Sequence, residues 1–194
     1  ELAYYAMKKD ARVAAPHWAP GRDGINEYNN NGFVPYPEYK EATSKTLAYA
    51  YDDFCILQMA KKMELTDDIA QFQDRPFNYK NVFDTKTNFM RGRHADKSWY
   101  EPFDPIEWGG PFLEGNAWQY SWSVFHDMQG LVNLMGGDKK FIQKLDQLFS
   151  TPSEFKVGTY GKVTHQMTEM VLANKGQYAH GNPQVQHLPY LYSY

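Results

Sequence analysis

Cysteine occurs once in the 194 residues, as Cys55, so no internal disulfide can form. In its apolar helical run that thiol reads as a small buried hydrophobe and not as a nucleophile. No long run of Lys or Arg is present, and 20 basic against 23 acidic side chains leave a formal net charge of -3. That balance argues against a nucleic-acid binder working through phosphate neutralisation. No stretch reaches the apolar length of a membrane span. Glu1–Lys9 reads as the interior of a helix and not as a secretory leader. Tyr190–Tyr194 stops without a helix-ending signal, so both ends are expected to continue in a longer chain. The length suffices for one domain with a sizeable core. What is plentiful is aromatic surface, 16% of residues with 15 tyrosines, which suits a ring-lined cleft or an aromatic-rich core.

Helical periodicity predicts an all-α architecture with long loops. A helix is expected over 1–14, with Leu2, Ala6 and Val13 at helical spacing. A loop broken by Pro16, Pro20, Gly21, Asn29–Gly32, Pro35 and Pro37 follows. The clearest helix covers 43–63, with Thr43 or Ser44 as N-cap. Another runs over 67–81, opened by Asp67 and Asp68, with Pro76 predicting a kink or early stop. Residues 84–113 are loop-rich. A long helix is expected over 117–135, stopped by Gly136-Gly137. Asp138 opens a helix to Phe149, and two more are expected near 163–175 and 184–194.

The densest chemistry lies in Phe112–Tyr120, which sets Glu114 beside a glycine, two amides and three rings. Sugar chemistry needs flat apolar faces, amides for hydroxyls, and an acid whose pKa a partly apolar pocket raises. Two readings stand on these residues alone: Glu114 as an acid in such a pocket, or Glu114 as a helix cap with the rings as core. Asp52-Asp53 cannot both face one buried site, because successive helical residues diverge. His126-Asp127 diverges likewise, and His126 reads as a buried structural histidine. Arg91 and Arg93 form a basic turn suited to carboxylate pairing or a ligand rim. His165 and Glu169 share a helical face but lack the second histidine of a helical zinc site. A hard cation such as calcium would use Glu169 with amide and carbonyl oxygens. The Gln177–His187 segment offers Asn182, Gln184 and Gln186 as amides around a Gly181–Pro183 turn.

Several segments occur together and in order: Asn31-Gly32-Phe33-Val34-Pro35, Thr46–Asp53, Tyr79–Asp84, Phe89–Arg93, Glu114–Tyr120 and Gly176–Asn182. With these landmarks the chain resembles the calcium-dependent, inverting exo-α-mannosidases of glycoside hydrolase family 92. The resemblance implies that residues 1–194 are a large part of an (α/α)6 barrel. The family's N-terminal β-sandwich and C-terminal base-bearing segment would lie outside them. It assigns Glu114 as general acid, with Asn116 and Trp118 at the substrate. His165 and Gln166 would sit at the leaving-group sugar, and Glu169 and Asn182 at the calcium. The implied partners are a mannose-containing oligosaccharide or N-glycan and the remainder of the mannosidase chain. The implied location is secreted, periplasmic or at the cell surface.

Four departures accompany the resemblance. Gln166 stands where a glutamate is expected, removing a charge from the α-1,2 leaving-group subsite. Pro183-Gln184 reverses the Gln-Pro order, and Ala48 and Phe125 replace a glutamate and a proline. On the resemblance, the isolated segment is expected to be inactive for want of its base. A carbohydrate-binding protein without turnover, or a decayed mannosidase, is the rival reading.

Overall fold

The computed structural model describes residues 1–16 and 18–194. The chain divides into two compact units, Glu1–Val82 with Gly92–Tyr100, and Phe83–Arg91 with Glu101–Tyr194. Helices dominate both, as the periodicity predicts.

In the first unit, α1 (Leu2–Asp10), α2 (Ile25–Asn31), α3 (Ala42–Lys62) and α4 (Thr66–Phe72) are followed by a 3-10 stretch over Arg75–Val82. The 21-residue α3 is the frame, burying Leu47, Ala50, Ile56, Leu57 and Ala60. Its N-cap is Glu41, with a left-handed φ of 57°, so neither Thr43 nor Ser44 caps it; both are buried inside the first turn. Helix α2 lies where a loop is expected. Asparagine is a poor helix former, but burial of Ile25 and Tyr28 beside Val34 and Tyr49 outweighs that local preference. The expected 67–81 helix is two pieces, because the α-helix stops at Phe72 and Pro76 falls in the 3-10 stretch.

Asp52-Asp53 resolves into one structural and one outer carboxylate. Asp53 is fully buried, accepting from Arg22 Nη1 at 2.6 Å, Arg75 Nε at 2.7 Å and the Tyr28 hydroxyl at 3.2 Å. Asp52 points outward, 3.6 Å from Arg22 Nη2. Arg93 in this unit serves structure too, donating to the Asn81 and Lys97 carbonyls.

The second unit begins with a two-residue antiparallel pair, β1 (Phe83–Asp84) and β2 (Phe89–Met90), which the sequence reading did not foresee. Asp84 organises its turn, accepting from the Lys86 N–H and the Thr87 hydroxyl, both at 2.9 Å, and from Arg91 at 2.8 Å. Burial alone would raise its pKa, but those donors outweigh burial and hold the carboxyl below its ordinary range. Arg91 is therefore a structural cation, paired also with Glu101 at 2.6 Å.

The expected long helix 117–135 is two short ones, α5 (Ala117–Tyr120) and α6 (Met128–Leu134). Side chains take over between them. Ser121 Oγ donates to the Ala117 carbonyl at 2.7 Å and accepts the Met90 N–H at 2.9 Å, while Trp122 Nε1 donates to the Trp118 carbonyl at 2.8 Å. Asp127 then caps α6, accepting the Gly130 N–H at 3.0 Å. Helix α7 (Asp138–Ser150) buries Phe141, Lys144, Leu145 and Leu148 on one face, and α8 (His165–Ala173) buries Met167 and Met170. Beyond α8 the chain forms 3-10 turns over Pro183–Val185 and Leu188–Ser193 in place of the expected helix, since Pro189 has no N–H for an α-helical ladder.

Candidate active site

Glu114 sits on a tight loop before α5 with a left-handed φ of 49°, a conformation that side chains with a Cβ disfavour. Its residue is exposed and not buried among the rings of its own motif. Nor does it cap α5. Asn116 does so, its Oδ1 accepting the Gln119 N–H at 3.2 Å.

The backbone of Glu114 is held on both sides. Its N–H donates to the Tyr160 hydroxyl. Its carbonyl accepts from Asn182 Nδ2, and from Gln184 Nε2 at 3.4 Å. Gln184 also reaches the Leu113 carbonyl at 3.1 Å and the Tyr120 hydroxyl at 3.2 Å, and Tyr120 donates to the Leu113 carbonyl at 2.5 Å.

Beneath the loop is a buried amide network. Asn116 Nδ2 donates to Gln177 Oε1 at 3.0 Å, and Gln177 Nε2 donates to the Pro152 and Glu154 carbonyls at 2.7 and 2.9 Å. Asn182 Nδ2 donates to Gln119 Oε1 at 3.2 Å. Asn116, expected to meet sugar hydroxyls, is instead fully buried with both polar atoms used internally. The sequence reading missed Tyr160, Gln119, and Gln177 as a structural amide. A partial signal for Tyr160 is Gly109, with φ +84°, where an added Cβ would meet Thr159 Oγ1 and the Tyr160 ring.

Trp118, expected at the substrate, is also an interior residue. It is 8% exposed, set edge-on to Phe89 at 4.8 Å, with Lys144 Nζ 4.2 Å from its ring centroid. The same amine lies 3.1 Å from the Phe89 centroid. Burial drives the Lys144 amine down to about 7.

On α8, His165 is exposed, Gln166 half-buried and Glu169 exposed. The Glu169 carboxylate lies against Gly181, so close that a Cβ there would collide with it. Gly181 precedes Asn182, whose Oδ1 is buried without a hydrogen-bond partner among the described residues. Of the two residues assigned to calcium, one thus sets a carboxylate beside Gly181, and the other, next in the chain to Gly181, carries an orphaned neutral oxygen. That donor set fits a hard cation, which takes oxygen ligands and shares them with water and substrate. Among the described residues no three of His, Cys, Asp and Glu gather for a metal.

Three further histidines, His126, His180 and His187, belong to the same unit as this loop. His126 is half-buried in the non-helical stretch between α5 and α6, not on a helix. His180 is exposed, its Nδ1 2.6 Å from the Tyr178 hydroxyl. His187 sits 3.2 Å from the Trp122 carbonyl and edge-on to Phe125, and burial lowers its pKa. No helix among the described residues is long and apolar enough to cross a membrane.

The model of the glycosyl hydrolase family 92 catalytic domain matches residues 1–194. The chain belongs to glycoside hydrolase family 92. Among solved structures, it is 46% identical to a family 92 inverting mannosidase of Bacteroides thetaiotaomicron, with a TM-score of 0.83 over 99% of this chain and 26% of that one. A family 92 α-mannosidase of the same organism, in complex with mannoimidazole, is 35% identical with a TM-score of 0.82 over 99% of this chain and 24% of its own. A protein of Arthroderma benhamiae described as an uncharacterized secreted glycosidase is 29% identical over 76% of this chain and 23% of its own length. The family 92 chain described here thus spans about a quarter of these relatives.

Proposed function

We propose that this chain carries the general-acid half of an inverting exo-α-mannosidase that hydrolyses terminal α-mannosidic linkages. The observation that supports it most is the Glu114 loop: an exposed carboxylate on a left-handed backbone that four other side chains secure, in a domain whose relatives are mannosidases. The helices would form a large part of an (α/α)6 barrel, completed by other segments of the protein.

In this reading Glu114 gives its proton to the departing glycosidic oxygen. Water adds to the anomeric carbon from the opposite face and loses its proton to a second carboxylate. An inverting site sets the two carboxyl groups roughly 6.5–9.5 Å apart to leave room for that water. The base would come from outside these residues. Calcium held by Glu169 and Asn182 Oδ1 would supply positive charge beside the sugar hydroxyls and favour a distorted ring. His165 and Gln166 open α8 and would meet the leaving-group sugar. With an amide at 166, the preference for an α-1,2 linkage would be relaxed. The relative described as secreted supports an extracellular, periplasmic or cell-surface location, where mannose-containing oligosaccharides and N-glycans occur.

The test is Glu114→Gln in the full-length gene product. Turnover should fall by about 10²–10⁴-fold on alkyl mannosides and little on mannosides with activated leaving groups. Equal losses on both would sink the assignment.

A further inference from the structure

Every contact that fixes Glu114 goes through its backbone. Among the described residues its carboxylate receives no hydrogen bond, while the peptide groups on both sides are engaged. This has a chemical consequence. A donor placed on a carboxylate favours the charged form and works against proton donation, whereas a grip on the backbone aims the side chain without touching its proton.

We propose that Tyr160 and Gln184 are the positioning residues of the Glu114 carboxylate, setting the left-handed backbone from which it is presented. This inference rests on the reading of Glu114 as general acid. The Tyr160 ring packs on a buried cluster of Trp108, Met167, Met170 and Ala179, which fixes where its hydroxyl meets the Glu114 N–H. That anchoring also draws on the backbone pairing of residues 106–108 with Lys156: Trp108 N–H donates to the Lys156 carbonyl at 3.0 Å, and Lys156 N–H to the Ile106 carbonyl at 3.1 Å. Gln184 approaches from the other side, through the 3-10 turn Pro183–Val185, and ties the Leu113 and Glu114 carbonyls together with the Tyr120 hydroxyl. With the order Pro183-Gln184, the amide is delivered to the acid loop. Releasing either hold lets Glu114 leave the disfavoured left-handed region and carries the carboxylate away from the glycosidic oxygen.

The experiment compares Tyr160→Phe, Gln184→Leu, Glu114→Gln and the double variant Tyr160→Phe/Glu114→Gln in the full-length gene product. Each is measured on 2,4-dinitrophenyl α-mannoside, whose leaving group departs without a proton, and on methyl α-mannoside, whose leaving group needs one. The expected result is a loss of about tenfold or more in kcat for Tyr160→Phe on the methyl glycoside, against less than about threefold on the dinitrophenyl glycoside. The double variant should match Glu114→Gln within about twofold, because a residue that acts through Glu114 has nothing left to position. A loss equal on both substrates, or a double variant that loses the product of the two single effects, would overturn the inference and leave the acid assignment standing. If Glu114→Gln itself fails to separate the substrates, the acid assignment falls and the inference with it. Should Tyr160→Phe not fold, Gln184→Leu decides by the same substrate comparison.

Discussion

Replacing Lys144 with Met tests how this chain tolerates a buried cation. Lys144 is 5% exposed on the inner face of α7, with the Phe89 and Trp118 rings 3.1 and 4.2 Å from its amine. Burial lowers its pKa from 10.5 to about 7. A change of that size corresponds to roughly 5 kcal/mol against the charged form, at about 1.4 kcal/mol per tenfold. Desolvated cation–π contact acts the other way by about 2 kcal/mol. Methionine fills a similar volume with neither charge nor desolvation cost, so Lys144→Met should stabilise the fold at pH 7 by about 3 kcal/mol. For a chain of this length that raises Tm by roughly 6–12 °C. The pH dependence fixes the sign. With the folded pKa below the unfolded one, the unfolded chain holds the extra proton between about pH 7 and 10.5, so wild-type stability rises with pH through that window. The advantage of Lys144→Met should therefore shrink from pH 7 to pH 10. Thermal unfolding followed by circular dichroism at the two pH values reads this directly. A variant that is less stable at both, by the same amount, would refute the reasoning and show that the ring contacts outweigh burial.

Other outcomes follow from the same geometry. Asp53→Asn leaves Arg22 and Arg75 without their buried carboxylate and should cost about 3–5 kcal/mol in urea unfolding. Asn116→Ala removes the α5 cap and the partner of Gln177, at a cost of about 2 kcal/mol by the same assay, while Asn116→Asp should retain part of the cap. Glu169→Gln in the full-length protein should weaken calcium binding by about tenfold or more in titration calorimetry; unchanged affinity would remove Glu169 from the metal site.

The long amphipathic segments were legible because their periodicity is also their burial. The expected 43–63 helix is observed as 42–62, and the expected 138–149 helix as 138–150, with Phe141, Leu145 and Leu148 inward. The misses have local causes. At Ser121–Asp127 the side chains satisfy backbone groups that a helix would have paired, and propensity carries no account of that. At Ile25–Asn31 the helix exists because two large residues are buried, which asparagine-rich sequence conceals. At the candidate site the motif runs through the loop into the core, and propensity does not show which of its residues turn inward. Asn116 and Trp118 stand two and four positions past Glu114, where short α5 turns its side chains into the core.

That division of labour explains why an acid would stand at an exposed residue on a disfavoured backbone. In an aromatic pocket formed by the motif itself, the carboxylate would be spent inside the fold, as Asn116 and Trp118 are. The structure instead uses the inward residues as a foundation. Asn116, Gln119, Gln177 and Asn182 form the buried network, Tyr160 and Gln184 grip the loop, and the left-handed turn at Glu114 directs the carboxylate outward. Substrate and neighbouring segments would then close over the carboxylate and exclude water only when the site is filled.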